Sequence, residues 1–273
     1  MASDDLLVRS RAALLDALEA LEDHRDSVIV VGAQAIYLRA SHAPVNLAEA
    51  TKDSDLTIDP RTLEDDPLIE AAMTRARFYL DPTSNQPGAW MNPEGIPVDL
   101  MVPEDLAGPG GKSARAARLP PHARGALRRA RGLEATLVDN EVMEVAALDP
   151  DDERRLRVRV AGPAALLVAK AHKLGERADD PGRLVDKDAH DIYRIVIDVD
   201  TATLAATLRL LLDDPVSAEA SATALNYLET LFADGPEALG SAMAGRAEEG
   251  VGEPETVALA VSILVGDLLA AVR

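Results

Sequence analysis

The chain reads as an α+β domain over residues 1–160 followed by an all-helical domain over residues 161–273. Two observations carry this. Short apolar runs bounded by turn residues recur up to about residue 160, whereas after Pro163 the apolar positions take helical spacing. A change from strands to helices at one place in a chain is the pattern of an α+β unit with a helical unit after it. A third observation is local: the apolar run Val28–Val31 ends in Gly32-Ala33, and the paired aspartates Asp53 and Asp55 follow.

In chain order, Asp4 to Glu22 sets Leu7, Leu14, Leu15, Leu18 and Leu21 on one helical face, with Ser3 or Asp4 as its cap. Val28 to Val31 is a buried strand, Gln34 to Ala40 a short helix, and Ser41 to Glu49 a loop containing Pro44. Leu56 to Ile58 continues a strand from the aspartates, and Pro60 ends it. Leu68 to Ala76 is helical, with Pro67 at its first turn. Trp90 to Val102 forms a hairpin turned at Pro93-Glu94-Gly95, with Asp99 on its second arm. After the breaker-rich Pro103 to Gly111, a second hairpin is expected over Leu133 to Ala147 around Asp139-Asn140, and a last strand over Leu156 to Val160. Helices are expected over 163–177, 186–197, 201–213, 216–233, 235–247 and 254–272.

Composition bounds the function. With 47% hydrophobic and 27% charged residues, the chain is that of a globular protein. The absence of cysteine removes disulfides, thiolate metal sites and a cysteine nucleophile. Met-Ala-Ser-Asp-Asp lacks the basic and apolar regions of a secretory signal. No apolar run approaches the roughly 18 residues that span a bilayer without a charge. The expected location is the cytoplasm, with no membrane partner. A net charge of −19 argues against non-specific nucleic-acid binding. One island departs from it: Lys112, Arg115, Arg118, Arg124, Arg128, Arg129 and Arg131 occur with no acidic residue between them. It serves either as a solvated segment balancing acidic surface or as a strip for RNA phosphates or a triphosphate. It contains no aromatic residue for base stacking.

Carboxylates inside apolar strands are costly unless paired. Alternation projects Asp53 and Asp55 to one face, and Asp99 within Ile96-Pro-Val-Asp-Leu-Met-Val102 joins them if its strand is a neighbour. Oxygen-only clusters suit magnesium, which binds through one or two carboxylates plus substrate phosphates. Further on, Lys170, Lys173 and Arg177 recur at i, i+3 and i+7 with Leu166 and Leu174 on the same face, so these cations rise from an apolar surface. They either snorkel from a packed face or stabilise phosphoryl oxygens. Asp188 and Asp191 share a helical face, and three roles stay open for them. One can fix the rotamer of Lys170 or Lys173, act as a base, or pair at the surface with Arg194. His24, His42, His122, His172 and His190 are scattered without ligand spacing and read as structural. Gly111-Lys112-Ser113 is not a phosphate loop, because Leu106 stands where the first glycine is required.

The motifs together resemble the nucleotidyltransferase fold of the DNA polymerase β superfamily, and within it the AbiEii/MenT-like toxins of type IV toxin–antitoxin pairs. Val28-Ile-Val-Val-Gly-Ala-Gln-Ala-Ile-Tyr-Leu-Arg39 resembles the first motif of that family and Lys52-Asp-Ser-Asp-Leu56 its second. Leu166 to Arg177 and Lys187-Asp-Ala-His-Asp191 resemble the later Lys and Asp motifs. The chain differs in having Ala33 where the family has Gly or Ser, a longer spacer before Asp53, and Ser54 between the two aspartates. The resemblance implies a mixed sheet flanked by helices. It also implies two magnesium ions held by Asp53 and Asp55, with Asp99 on the catalytic one. Gly32, Ala33, Lys170, Lys173 and Arg177 would bind a nucleoside triphosphate donor, with Lys170 on its phosphates. Asp188 and Asp191 would complete the catalytic set. A tRNA 3′ end would be the acceptor, with Arg115, Arg118, Arg124, Arg128, Arg129 and Arg131 on the RNA, and a cognate antitoxin would be a partner. Two other classes remain: the same transfer to an aminoglycoside-type hydroxyl, and a non-catalytic binding protein, which Ala33 and Ser54 favour.

Overall fold

A computed structural model describes residues 3–39, 53–84, 86–111 and 114–273, with the side chains of residues 3–5 and 181 left out. The expected cap at Ser3 or Asp4, Ala40, the loop from Ser41 to Glu49, His42, Lys52, Lys112 and Ser113 lie outside that description. The chain divides into two compact units. Met1–Ala35, Ala50–Leu133 and Asn140–Ala161 form one, and Ile36–Glu49, Glu134–Asp139 and Gly162–Arg273 the other.

The first unit is built on a mixed sheet. Its strands are β1 (Val28–Val31), β2 (Ser54–Ile58), β3 (Tyr79–Leu80), β4 (Ala89–Met91), β5 (Pro97–Pro103), β6 (Arg128–Ala130), β7 (Asn140–Ala146) and β8 (Arg155–Ala161). They lie in the order β3-β4-β5-β2-β1-β8-β7, with β6 also on β5. β1 is β-branched at every position and buried throughout, as a strand between two neighbours should be. It runs antiparallel to β2 and parallel to β8, and β2 runs parallel to β5. α1 (Ser3–Ala20) packs on β2 and β5 and buries Leu14, Leu15 and Leu18, and Leu21 just after it is buried too. Ser54, Leu56, Val98, Leu100 and Val102 are buried, and period two puts them on one face of the sheet. Asp55, Thr57, Asp99 and Met101 therefore occupy the opposite face.

The hairpin expected over Trp90–Val102 is present as β4 and β5. Asn92 closes its turn by accepting from the Glu94 and Ile96 amides. The hairpin expected around Asp139-Asn140 is not. Leu133 to Leu137 gives a buried 3-10 turn at Glu134–Leu137, and β7 pairs instead with β8 across the Asp- and Pro-rich segment 147–154. Asp139 is a helix cap: its Oδ2 accepts from the Ala165 amide at 2.9 Å.

The second unit is helical. It contains α4 (Pro163–Gly175), α5 (Asp186–Asp198), α6 (Thr201–Asp213), α7 (Ala218–Leu228), α8 (Leu239–Arg246) and α9 (Pro254–Val272). The chain enters it first through α2 (Gly32–Arg39); α3 (Ile69–Arg75) belongs to the sheet unit. The helix expected over 216–233 ends its α-helical part at Leu228 and continues as a π turn over Glu229–Ala233. α4 stops at Gly175, two residues short of the expected end, so Arg177 lies beyond it. α9 is long and apolar enough, by length and composition, to cross a membrane, although it carries Glu255 and Asp267. It packs on α6 and α8 and buries Val257, Val261, Val265 and Leu268.

Candidate functional site

The sheet unit brings two of the expected carboxylates together. Asp55 and Asp99 are direct partners in the parallel β2–β5 register, so they project side by side from the face away from α1. Both are half-buried. Val31 is the partner of Asp55 on the other side, and the chain turns from it into α2 at Gly32. Gly32 has φ 65°, and a Cβ there would overlap the Asp55 carboxylate, so only glycine admits both that turn and that carboxylate. Asp53 stands one residue before β2, half-buried and outside the ladder. Among the described residues no group of three His, Asp or Glu side chains could hold a metal ion as they stand. The three-carboxylate cage expected from the sequence is thus not preformed; the register supplies two.

Ser54, the residue between the paired aspartates, has a purpose of its own. Its hydroxyl donates to the Ser10 carbonyl at 3.1 Å on the α1 side of the sheet. Ser10 also receives Gln34 Nε2 at 3.0 Å, and Gln34 Oε1 accepts from Arg11 Nε at 2.9 Å. Arg11 reaches the Ala146 carbonyl as well. This buried network ties α1, α2, β2 and β7 together. Sequence reasoning passed it over, yet a signal was present: Leu7, Arg11, Leu14 and Leu18 share the apolar face of α1. A cation there requires buried partners.

The described residues of the basic island form neither a helix nor a free linker. Arg128 opens β6 opposite Met101, on the face of Asp99. Its Nη2 meets Asp99 Oδ2 at 2.6 Å and Met101 Sδ at 3.1 Å, and its Nη1 donates to Gln86 Oε1 at 2.8 Å. Gly88 makes that approach possible, since a Cβ there would strike the Leu100 carbonyl and the Arg128 amide. Arg129 donates Nη1 to the Gly108 carbonyl at 2.8 Å and Nη2 to that of Glu104 at 3.1 Å, while Arg131 pairs with Glu104. Arg128 and Arg129, both expected on RNA, thus spend guanidinium N–H groups on contacts inside the unit, whereas the Arg131 side chain is about half exposed. Arg115, Arg118 and Arg124 are exposed.

In the helical unit, Lys170 is 7% exposed, and its Nζ lies 2.8 Å from Asp188 and 2.7 Å from Asp191. Burial opposes its charge, but the two carboxylates outweigh burial and hold the ammonium well above the ordinary lysine range. Burial likewise acts against the Asp188 carboxylate, yet Lys170 and Lys173 outweigh it and keep the group far below the ordinary carboxylate range. Lys173 Nζ is 2.9 Å from Asp188, and Arg177 reaches it at 3.8 Å. Of the roles expected for Asp188 and Asp191, the geometry favours fixing the lysine, since both carboxylates lie against its Nζ. Lys170 is correspondingly a neutralised pin between α4 and α5.

The four described histidines make contacts within their own units. His24 bonds the Pro67 carbonyl, His122 accepts from the Ile69 amide, and His172 meets the Ala220 carbonyl. His190 lies 2.5 Å from the buried Glu248.

A family model described as nucleotidyltransferase matches residues 9–216. None of the curated proteins matches the chain in sequence. Among solved structures, the chain is similar to the crystal structure of an antigenic nucleotidyltransferase-like protein from Paracoccidioides brasiliensis. The two are 15% identical with a TM-score of 0.39, over 81% of this chain and 94% of that one.

Proposed function

The chain belongs to a nucleotidyltransferase family, and from that premise we propose that it moves a nucleoside monophosphate from a nucleoside triphosphate to a hydroxyl, releasing pyrophosphate. The observation that carries the reading is the register pairing of Asp55 with Asp99 on one face, beside the glycine turn into α2. Two adjacent carboxylates fit magnesium, which takes its remaining ligands from water and substrate phosphates. Asp55 and Asp99 would hold it, with Asp53 next along the chain. When bound, the ion supplies neutralisation of the charge that develops on the phosphoryl oxygens. The protein's own part is positional. Gly32 lets the start of α2 approach the Asp55 carboxylate, and β2 and β5 fix both carboxylates on rigid strands. The serine between the aspartates does not count against activity, because its hydroxyl is spent on Ser10 across the sheet.

For the acceptor we infer an RNA, with the tRNA 3′ end, a toxin role and a cognate antitoxin following from the AbiEii/MenT-like motifs. The exposed Arg115, Arg118 and Arg124 support an RNA acceptor. A cytoplasmic location goes with that role. The net charge of −19 favours a second reading, transfer to a cationic aminoglycoside-type hydroxyl. Purified protein with magnesium and each labelled nucleoside triphosphate should transfer label to RNA, and Asp55→Ala should lower transfer by about a hundredfold or more. Full activity in that variant overturns the carboxylate assignment. Label on an aminoglycoside and none on RNA selects the second reading.

A further inference from the structure

Two carboxylates side by side on neighbouring strands repel each other unless a cation lies between or against them. In this protein one such cation is part of the chain. Arg128 sets its Nη2 at 2.6 Å from Asp99 Oδ2, with the two side chains 24% and 18% exposed. The arrangement is built rather than incidental. The other arm of the guanidinium is held by Gln86 Oε1, and its backbone is held opposite Met101 by β6. Gly88 clears the space through which β6 approaches. A guanidinium and a divalent cation cannot both sit against the same carboxylate oxygen, because their mutual repulsion at contact distance is large in a half-buried site.

We propose that Arg128 is a built-in counter-ion for Asp99 that competes with the divalent metal, so that metal binding requires its guanidinium to be displaced. This inference rests on the carboxylate reading given above, and it assigns the metal affinity of that site to a residue outside the carboxylate set. Before the metal arrives, Arg128 neutralises Asp99 and lets Asp55 and Asp99 lie together. When it arrives, the guanidinium has Gln86 and Met101 to retain it nearby.

The test is a titration of the full chain with Mn2+ alone, free ion being read by electron paramagnetic resonance at low ionic strength. Arg128→Ala should bind Mn2+ about tenfold tighter or more than the unmodified chain, and Arg128→Lys, which keeps charge but loses the fork, should fall between. Should Arg128→Ala fail to fold, Gln86→Ala loosens the guanidinium without removing it and should tighten Mn2+ binding by a smaller factor. Equal or weaker binding in Arg128→Ala, with binding lost in Asp55→Ala, overturns the competition while leaving the carboxylate site standing. Identical binding in the unmodified chain, Arg128→Ala and Asp55→Ala overturns both readings.

Discussion

Lys170 is the sharpest place to separate a phosphate-binding lysine from a structural one, because the two roles predict stability losses of different size. Its side chain is 9% exposed, those of Asp188 and Asp191 are 5% and 1% exposed, and both carboxylates lie within 2.8 Å of its Nζ. Removing one member of a buried ion cluster costs about 3–5 kcal/mol, because charge of the other sign is left uncompensated. Lys173 and Arg177 still face Asp188, so the loss falls mainly on Asp191. Lys170→Ala should therefore lower stability by about 3 kcal/mol or more at pH 7, in urea unfolding followed by circular dichroism. Lys170→Met, which keeps the apolar stem, should lose nearly as much. Lys173→Ala, whose side chain is 41% exposed, should lose no more than about 1 kcal/mol. The pH dependence has a definite sign. In the unmodified chain the depressed Asp188 contributes stability above the ordinary carboxylate value of about 3.9, and this is lost as pH falls through its folded value. Lys170→Ala relieves its surplus negative charge by taking up a proton, so its deficit should shrink between about pH 7 and pH 4. A loss under about 1 kcal/mol, or one equal to that of Lys173→Ala, would refute the pinning role.

Gly32→Ala should cost about 2–5 kcal/mol, from the left-handed φ together with overlap on the Asp55 carboxylate. Gly95→Ala, with a φ of 74° and only Met91 Cε in ordinary contact at 4.0 Å from its Cβ, should cost only about the strain; equal melting shifts for the two would remove the overlap. In the RNA-acceptor reading, replacing Arg115, Arg118 and Arg124 with Ala should make the log–log salt slope of RNA binding shallower by about 0.7 per lost single-strand contact. An unchanged slope would leave those three arginines as a solvated surface.

What the sequence disclosed followed its local chemistry. Four consecutive β-branched residues gave β1, and Asn92 to Gly95 between apolar runs gave the β4–β5 turn, so the register of Asp99 could be anticipated. The helices after Pro163 were legible for the same reason. The misreadings arose where a local signal had a non-local use. Asp139-Asn140 has turn chemistry, but Asp139 spends it capping α4. β3 and β6, of two and three residues, have no periodicity to detect; β4 holds the first, and β5 with the segment 115–117 holds the second. Arg128 and Arg129 read from sequence as part of an open strip because their partners, Asp99, Gln86 and the carbonyls of residues 104–108, are remote along the chain. Asp53 stands one residue before β2, and the register adds to Asp55 a partner, Asp99, that is remote in sequence.

The division of one edge of β5 between two short neighbours has a dynamic consequence. β4 accompanies β5 as far as Asp99, and β6 takes over from Met101. Asp99 lies on a strand bordered on its other side by β2, and it can be released only by opening the middle of the sheet. Arg128 is the first residue of a strand three residues long, the sort of segment that opens at a small fraction of the global unfolding free energy. Amide exchange should therefore be fast at 128–130 and slow at 98–101. On that expectation the acid belongs to a slow part of the unit and its counter-charge to a quicker one, so the electrostatics of this face would change on the timescale of a fraying strand while the carboxylates keep their places.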